Sequence, residues 1–297
     1  MEWPVKIPYF APDLPCPLPS NSEIEEAPVF VDHNGYKAAR VGNNYVVKFG
    51  HSLQLDLIEG ENMIFLRHAT KIKIPKVYAL YNVPETSTNY IVMEYVEGKT
   101  LDTQWKSLSD REKEGITSTL MQYFAELRKL PSPGYFGSIR RRRMPGGMFW
   151  TPEPNSEING PFENEADLNE ALALKYVAES EYRSAYRAEF YRRALSNVFR
   201  DHESKFTHGD FQRKNVIIRS RSYNSSNDGT NPGDEKTYEV TLIDWETSGW
   251  YPSYWEYSMA ALATRWDDDW GGWLVRTIEP FDVEFPWLQM LYLELWS

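Results

Sequence analysis

One stretch of the chain, residues 206–218, constrains the fold more than any other. It opens with an apolar run, continues with a His-Gly-Asp tripeptide that ends at Asp210, and places Asn215 five positions after that aspartate. A β-branched run, residues 216–218, follows directly. This order predicts a tight loop that leads into a strand, with a carboxylate and a carboxamide projecting from the loop.

A second apolar strand follows after a polar interruption. It covers residues 240–243 and ends at Asp244, which precedes a Trp-Glu pair. Phosphoryl transfer needs a carboxylate that orients the attacking hydroxyl or accepts its proton, and Asp210 can provide it. Transfer also needs hard oxygen ligands for magnesium, which the Asn215 amide and a carboxylate at a strand end can supply. The two segments together predict phosphotransfer chemistry.

The two motifs resemble those of a known group of enzymes. His-Gly-Asp-x-x-x-x-Asn and Ile-Asp-Trp-Glu are similar to motifs of the aminoglycoside phosphotransferase and choline kinase families, most closely to the fungal proteins grouped with the former. These families are small-molecule relatives of the protein kinases, which carry His-Arg-Asp and Asp-Phe-Gly instead. Here Gly209 replaces the arginine and Glu246 replaces the glycine. A surface turn, the alternative for the tripeptide alone, does not account for the asparagine spacing and the second motif.

The resemblance implies an α+β fold of the protein-kinase type with two lobes. The N-terminal lobe would hold an antiparallel sheet with one helix, and the C-terminal lobe would be mainly helical. We assign residues 1–28 to an extended proline-rich arm held by Trp3, Tyr9 and Phe10, and residues 29–95 to the N-terminal lobe. Residues 96–297 form the C-terminal lobe with the acceptor site, and a polar insertion is predicted at residues 219–237.

Lys48 ends the third strand of a predicted N-terminal meander, and the resemblance implies that it contacts the nucleotide phosphates. A helix predicted at residues 53–70 carries two acidic residues, Glu59 and Glu61, and either could hold this lysine. We favour Glu61, because its distance to the segment at residues 74–77 matches the family pattern and because it shares a face with apolar residues. Glu59 stays open as the alternative.

The strand at residues 90–96 would end in the hinge that joins the lobes. The resemblance implies that Met93 lies against the adenine ring and that backbone groups of Glu94, Tyr95 and Val96 bond the adenine edge. The Gly-Lys-Thr tripeptide just after this strand is not a P-loop, because a methionine occupies the position of the first glycine. The chain also lacks the Gly-x-Gly-x-x-Gly signature of the protein kinases.

These features lead us to expect a phosphotransferase that uses ATP (or GTP) and magnesium and acts on a hydroxyl of a small molecule. Asp210 would act on that hydroxyl, and His208 would support the loop by hydrogen bonding. Asn215 and Asp244 would bind the metal. The rival hypothesis is a kinase-like nucleotide-binding scaffold that has lost turnover, and the absent glycine signature is its only support.

Composition narrows the choice of partners and location. The net charge of −11 argues against nucleic acid as a partner. No apolar run is long enough to cross a bilayer and the start does not resemble a signal peptide, so we expect a cytosolic monomer. Cys16 is the only cysteine, which excludes an internal disulfide. Acidic and aromatic residues at 266–297 could receive a cationic amine, although a solvated acidic face is the favoured interpretation.

Overall fold

The structure is a computed structural model that describes residues 5–33, 35–179, 184–221 and 236–296. The strands, in chain order, are β1 (Tyr9–Phe10), β2 (Val29–His33), β3 (Tyr36–Val41), β4 (Tyr45–His51), β5 (Val77–Val83), β6 (Thr88–Glu94), β7 (Lys99–Thr100), β8 (Ser204–Thr207), β9 (Val216–Arg221), β10 (Thr237–Leu242) and β11 (Gly249–Pro252). The α-helices are α1 (Asn21–Glu26), α2 (Ile58–Ala69), α3 (Leu101–Gln104), α4 (Asp110–Lys129), α5 (Ser156–Asn159), α6 (Glu165–Ala178), α7 (Ala185–Val198), α8 (Trp255–Leu262), α9 (Trp270–Thr277) and α10 (Phe285–Leu295).

The chain divides into two compact units. The first comprises Met1–Gly115 and Arg213–Glu246, and the second comprises Ile116–Gln212 and Thr247–Ser297. These units differ from the predicted lobes, because residues 96–115 and 213–246 group with the N-terminal sheet rather than with the helical part of the chain. The lobe boundaries at residues 28 and 95 therefore stay a prediction.

A six-stranded sheet forms the centre of the first unit. Its strand order is β1-β5-β6-β4-β3-β2, and every neighbouring pair is antiparallel. Successive side chains of a strand point to opposite faces, so each strand can bury one set of side chains in a core. On one face, Tyr45 and Val47 of β4 pack with Tyr78 of β5 and with Tyr90 and Val92 of β6. The predicted antiparallel N-terminal sheet is confirmed.

Residues 5–28, which belong to the predicted arm, contain the short strand β1 and the short helix α1. Strand β1 pairs with β5, and Phe10 stacks on Tyr81 with ring centroids 6.0 Å apart. Helix α1 begins with a capping box formed by Ser20 and Glu23, and it buries Ile24 completely in the aromatic core of the sheet. Trp3, which was expected to help hold the arm, lies outside the described residues.

A smaller sheet in the first unit carries the predicted metal-binding segments. Its strand order is β10-β9-β7, with antiparallel pairing throughout. Val216 and Leu242 lie opposite each other at the end of the β9–β10 pair, and both are fully buried. Most of the predicted polar insertion, residues 222–235, lies outside the described residues. The pairing places Asn215, which precedes β9, beside the end of β10 that leads to Asp244.

The second unit is built mainly from helices. Its core joins α6, α7 and α10 through fully buried residues such as Leu172, Tyr191 and Leu291, and aromatic side chains near α8 complete it. Strands β8 and β11 form an antiparallel pair, and β8 leads directly into the His-Gly-Asp segment. In the parts of the chain that the structure describes, no helix is both long and apolar enough to cross a membrane.

Candidate functional site

Lys48 occupies the middle of β4 and is held on both sides by neighbouring strands. It pairs with Ala38 on β3 and with Ile91 on β6, so the backbone that carries it is firmly placed. Its side chain is 13% exposed, and its Nζ atom lies 2.8 Å from Glu59 Oε2 and 2.8 Å from Asp244 Oδ1. The strand lysine is therefore fixed between a helix carboxylate and a carboxylate that follows a strand.

The helix residue that contacts Lys48 is Glu59, which corrects the choice of Glu61 as its partner. Residues two apart on an α-helix point about 200° away from each other, so the two glutamates face different directions although both are buried. Asn62 shares a face with Glu59, and its Nδ2 atom donates to the Trp245 carbonyl oxygen at 2.8 Å. That bond turns the Glu59 face of α2 toward the segment that carries Asp244.

The segment around Asp244 is held on both sides of the aspartate. Asp244 itself has a φ of +67°, a left-handed conformation that Asp adopts more readily than most residues. The Ile243 amide donates to the Asn215 carbonyl oxygen at 3.0 Å. On the other side, the indole of Trp245 is fully buried and donates to the Leu242 carbonyl oxygen at 3.1 Å. These bonds bring the backbones of the two predicted metal-binding segments together.

Glu246 completes a cluster of three carboxylates with Glu59 and Asp244. One oxygen atom from each residue lies within 4.8 Å of the other two. Burial lowers the pKa of Lys48, but the charges of the three carboxylates outweigh burial and hold that pKa above its ordinary value. Burial also raises the pKa of Glu59 to about 7, and the charges of Asp244 and Glu246 act in the same direction against the opposing effect of Lys48. The shift of the Lys48 pKa thus follows from the excess of negative charge around its ammonium group, whereas that of Glu59 follows first from burial.

The composition of this cluster suits a hard divalent cation. Carboxylate and amide oxygens are the ligands that magnesium prefers, whereas zinc sites are built from cysteine and histidine. The group that the described residues form here contains carboxylates alone. The side chain of Asp244 is 26% exposed, whereas that of Glu59 is 1% exposed, so Asp244 is the more accessible of these two carboxylates. Asp244 and Glu246, with Asn215 nearby, are therefore the residues that could hold a magnesium ion.

In the second unit, the His-Gly-Asp loop is anchored by Glu256 on α8. Glu256 is fully buried, and its two carboxylate oxygens accept hydrogen bonds from the His208 amide at 2.6 Å and from the Gly209 amide at 3.3 Å. Gly209 has a φ of +83°, and a Cβ atom there would lie 2.8 Å from the Thr247 carbonyl oxygen. The close approach explains why glycine stands where the protein kinases have arginine.

His208 and Gln212 both contact Asp210 within this loop. His208 is fully buried, and its Nδ1 atom accepts a hydrogen bond from the Asp210 amide at 3.3 Å. The hydroxyl groups of Thr247 and Ser248 donate to the carbonyl oxygen of His208 at 3.1 and 3.0 Å. The Gln212 side-chain amide donates to Asp210 Oδ1. The histidine thus acts as an internal support, and the glutamine fixes one oxygen of the aspartate.

The predicted hinge residues follow the end of β6. Met93 is buried and pairs with Val46 on β4. The amides of Glu94 and Tyr95 are already used, because they donate to the carbonyl oxygens of Lys76 and Asn44, each at 2.8 Å. Within the described residues, the Val96 amide makes no such bond. Val96 is therefore the residue in this segment whose N–H group could meet the edge of a base.

Comparison with protein families gives one match that covers most of the chain. The model of the phosphotransferase enzyme family matches residues 31–279. A search of curated protein sequences finds no match. The matched range includes Lys48 and Asp244 as well as the His-Gly-Asp loop.

Solved structures similar to this chain include several aminoglycoside phosphotransferases. The ADP-bound enzyme APH(2'')-Ib matches with a TM-score of 0.56 at 17% identity, over 88% of this chain and 80% of that chain. The GDP complex of aminoglycoside 2'-phosphotransferase-IIIa matches with a TM-score of 0.54 at 14% identity, over 93% and 83%. A thermostable mutant of APH(4)-Ia, in a ternary complex with ADP and hygromycin B, matches with a TM-score of 0.54 at 16% identity, over 92% and 84%. At these identities the likeness shows the fold, and the predicted kinase-like fold class is confirmed.

The structure thus brings together some predicted site residues and adds others. Lys48 and Asp244 are in direct contact, and Asn215 is joined to the Asp244 segment through its backbone. Glu246 appeared in the sequence only as a replacement for glycine, and its position two residues after Asp244 was the available signal. No sequence pattern pointed to Glu256, because it lies 48 positions from His208, whose amide donates a hydrogen bond to it.

Proposed function

The chain belongs to the phosphotransferase enzyme family, and from this premise we propose that it transfers the γ-phosphoryl group of ATP to a hydroxyl group of a small molecule with the help of magnesium. The observation that carries the proposal is the Lys48 ammonium, which lies 2.8 Å from Glu59 and 2.8 Å from Asp244. A charged lysine that is already positioned can contact phosphate oxygens without reorganisation during the reaction.

The nucleotide would be held by residues of the first unit. Lys48 contacts its phosphates and Glu59 holds Lys48 in place. The Val96 amide and the carbonyl group of Glu94 meet the base edge, with Tyr95 between them and Met93 against the ring. Magnesium, held by Asp244, Asn215 and Glu246, would neutralise negative charge on the phosphate oxygens when bound. The structures of phosphotransferases with ADP or GDP support a nucleotide as one substrate.

The acceptor hydroxyl would be met by Asp210. Its carboxylate orients the hydroxyl or takes its proton as the bond to phosphorus forms. Gln212 donates to Asp210 Oδ1 and so helps to orient this carboxylate. The bonds from the His208 and Gly209 amides to Glu256 keep the loop in one conformation. Preorganisation of this kind is the main contribution that a protein makes to phosphoryl transfer.

The acceptor is proposed as a class rather than as a compound. One of the similar structures contains hygromycin B, an observation that concerns that protein. For this chain we propose a small molecule with a free hydroxyl group, and an amino alcohol with a cationic amine is the first class to test. We further propose a cytoplasmic monomer, in keeping with the sequence features described above.

Comparison of the wild type with Asp210→Asn tests the proposal. The full chain is incubated with magnesium and ATP or GTP across a panel of amino alcohols and aminoglycosides, and formation of the phosphorylated product is measured. The amide cannot accept the proton, so transfer should fall by roughly a hundred- to ten-thousandfold while nucleotide affinity stays within a few fold. Asp267→Asn, at an exposed position, is the matched control.

Two results would overturn the proposal. Equal transfer by the wild type and Asp210→Asn would mean that the aspartate has been misassigned. Nucleotide binding by both proteins without transfer to any acceptor would favour the rival hypothesis of a nucleotide-binding scaffold. Calorimetric titration with the nucleotide separates these cases, because it reports binding independently of turnover.

A further inference from the structure

A polar cavity of about 600 Å³ lies in the first unit, apart from the Lys48 cluster. Its volume falls within the range that small-molecule sites occupy in proteins. Seven of its lining residues are charged: Arg40, Arg67, Lys73, Glu94, Glu97, Arg219 and Glu239. Neither Lys48 nor any of the three carboxylates around it contributes to this lining.

The cavity borders the end of β6, where its lining includes residues from both faces of the sheet. Met93 pairs with Val46, which is two residues before Lys48 on β4 and therefore points to the same face. Glu94 follows Met93 and points to the opposite face. The cavity is lined by Glu94 and not by Met93. Arg40 pairs with Val46 and so lies on the same face as Lys48, and Tyr95 and Val96 also line the cavity. The cavity therefore reaches around the end of β6 to the segment proposed to meet the base, while Lys48 stays outside its lining.

Two arginines in the lining have no acidic partner among the residues that the structure describes. Arg40 donates through Nε to the Gly42 carbonyl oxygen at 3.2 Å, and its guanidinium carbon lies 3.9 Å from the centroid of the Tyr95 ring. Arg67 donates through Nη1 to the Ile74 carbonyl oxygen at 2.7 Å. Neither contact neutralises a charge. A guanidinium group has five N–H donors, so each arginine keeps several for a ligand.

Two acidic residues of the lining are paired with cations of the same lining, Glu97 with Arg219 at 3.0 Å and Glu239 with Lys73. Glu239 contacts both Lys73 and Arg221, so one carboxylate serves two cations. Glu94 accepts a hydrogen bond from the Lys76 amide at 3.0 Å. Burial first, and then the charge of Arg221, hold the pKa of Lys73 below its ordinary value, against the opposing charge of Glu94. Four basic and three acidic side chains line the cavity, so its lining has a small excess of positive charge in a chain whose net charge is −11.

We propose that this cavity binds a small anion through Arg40 and Arg67, with Lys73 as a third cation. The anion carries phosphate or carboxylate groups, since a guanidinium group binds either of them through two parallel hydrogen bonds. Tyr95 supports Arg40 by stacking and holds its free donors toward the cavity. The cavity shares Glu94, Tyr95 and Val96 with the segment proposed to meet the base but includes none of the Lys48 cluster, and the proposal does not depend on the acceptor of the transfer reaction.

Calorimetric titration of the full chain tests this site with two probes, inorganic pyrophosphate and citrate. A chelating resin first removes divalent metal from the buffer. Without bound metal, the carboxylate cluster around Lys48 repels anions, so the probes are kept from the phosphotransfer site. The wild type should bind at least one probe, and the tighter probe identifies the preferred oxyanion. Arg67→Gln and Arg40→Gln should each weaken binding by about tenfold or more, as expected for the loss of charged hydrogen bonds.

Two matched variants make the result specific. Lys48→Met removes the cation of the other cluster, and Arg276→Gln removes an arginine that lies over Trp273. Both should bind the probe as the wild type does. Because Arg67 also bonds the Ile74 carbonyl oxygen, melting temperatures are compared first, and Arg40→Gln at an exposed strand position carries the test if Arg67→Gln is unstable.

The proposal fails if neither probe binds to the wild type at millimolar concentration, or if the arginine variants bind as tightly as the wild type. It also fails if Lys48→Met abolishes binding, since the anion would then occupy the phosphotransfer site. Phosphoryl transfer is assayed separately on the same proteins. An inactive wild type that still binds pyrophosphate through Arg67 would refute the proposed function and leave this site intact.

Discussion

The Nζ atom of Lys48 lies 2.8 Å from Glu59, although Glu61 is buried to the same extent two residues further along α2. The pairing depends on which face of the helix meets the sheet, and the bond from Asn62 to the Trp245 carbonyl oxygen determines that face. The same contact links α2 to the segment that carries Asp244. A change in the helix orientation would therefore disturb both carboxylates that contact the lysine.

The first prediction is that Lys48 and Glu59 act as a unit. Lys48→Ala and Glu59→Ala should each lower kcat/KM, and the double variant should lose much less than the product of the two effects. Residues in direct contact show coupling energies of roughly 0.5–3 kcal/mol, which the double-mutant cycle measures. Glu61→Ala provides the comparison, since its effect should simply multiply with that of Lys48→Ala. Coupling of Lys48 to Glu61 instead would refute the pairing.

The second prediction concerns the metal. Asp244→Asn should lower turnover by more than about a hundredfold, and Glu246→Gln should raise the magnesium concentration for half-maximal turnover by about tenfold. Asp244→Asn should melt near the wild-type temperature, because the side chain is partly exposed and asparagine also tolerates a positive φ. Magnesium titrations at saturating nucleotide give both values. Unchanged magnesium dependence in both variants would exclude these residues as ligands.

The residues that the sequence could identify are those that sit in contiguous motifs. Asp210 and Asn215 share one loop, and Asp244 directly follows a recognisable strand, so their roles depend on local spacing alone. The choice between Glu59 and Glu61 could not be made this way, because α2 begins at Ile58 rather than near residue 53. When the start of a helix is uncertain by a few residues, the sequence does not show whether Glu59 or Glu61 faces the sheet.

Other residues depend on contacts between distant parts of the chain. Glu256 accepts a hydrogen bond from the amide of His208, which lies 48 positions away in the sequence. No local pattern marks a buried glutamate on α8 as a partner for a loop. The cationic cavity combines side chains from β3, α2, the segment after α2 and the β9–β10 pair. Strand pairing and register have to be known before Arg40 and Arg67 can be placed at one site.

The third prediction is that Glu256 stabilises the His-Gly-Asp loop. In Glu256→Gln, one carboxylate oxygen becomes an amide donor that opposes a backbone N–H group. The variant should lose about 1–3 kcal/mol in the free energy of unfolding, as is usual for a buried group left unsatisfied. Turnover should fall while nucleotide affinity is retained. Denaturant unfolding and calorimetry check these points, with Glu157→Gln on α5 as an exposed control. If Glu256→Gln were as stable as the wild type, the two hydrogen bonds to Glu256 would not contribute to the stability of the loop.

The fourth prediction concerns Gln212 as a positioning residue for Asp210. Gln212→Leu removes the donor to Asp210 Oδ1 and with it one restraint on the orientation of the carboxylate. We expect kcat to fall by about ten- to a hundredfold with the nucleotide KM unchanged, because misplacement of a catalytic group mainly slows the chemical step. Gln122→Leu, at an exposed position on α4, is the control. A rise in the nucleotide KM with unchanged kcat would show that Gln212 binds nucleotide instead.

The last prediction concerns pH and His202, which lies between two carboxylates in the second unit. Its Nδ1 atom is 2.7 Å from Glu165 Oε1, its Nε2 atom is 3.3 Å from Glu284 Oε1, and its ring packs edge-on against Tyr254. Burial lowers the pKa of His202, but hydrogen bonding and the charges of Glu165 and Glu284 outweigh it and raise that pKa above the ordinary value of 6.5. The protonated ring therefore joins the starts of α6 and α10.

The sign of the effect follows from proton linkage. A histidine whose pKa is higher in the folded state than in the unfolded state contributes all of its stabilisation below the unfolded pKa, and loses it as the pH rises through the folded pKa. The free energy of unfolding of the wild type minus that of His202→Asn should thus be largest near pH 5.5 and should shrink as the pH rises above about 6.5. Denaturant unfolding at intervals between these conditions and pH 8.5 measures the difference. His68→Asn, at an exposed position on α2, should show no such trend. A difference that grows with pH would mean that the ring is neutral in the folded protein and that the carboxylates do not hold its proton.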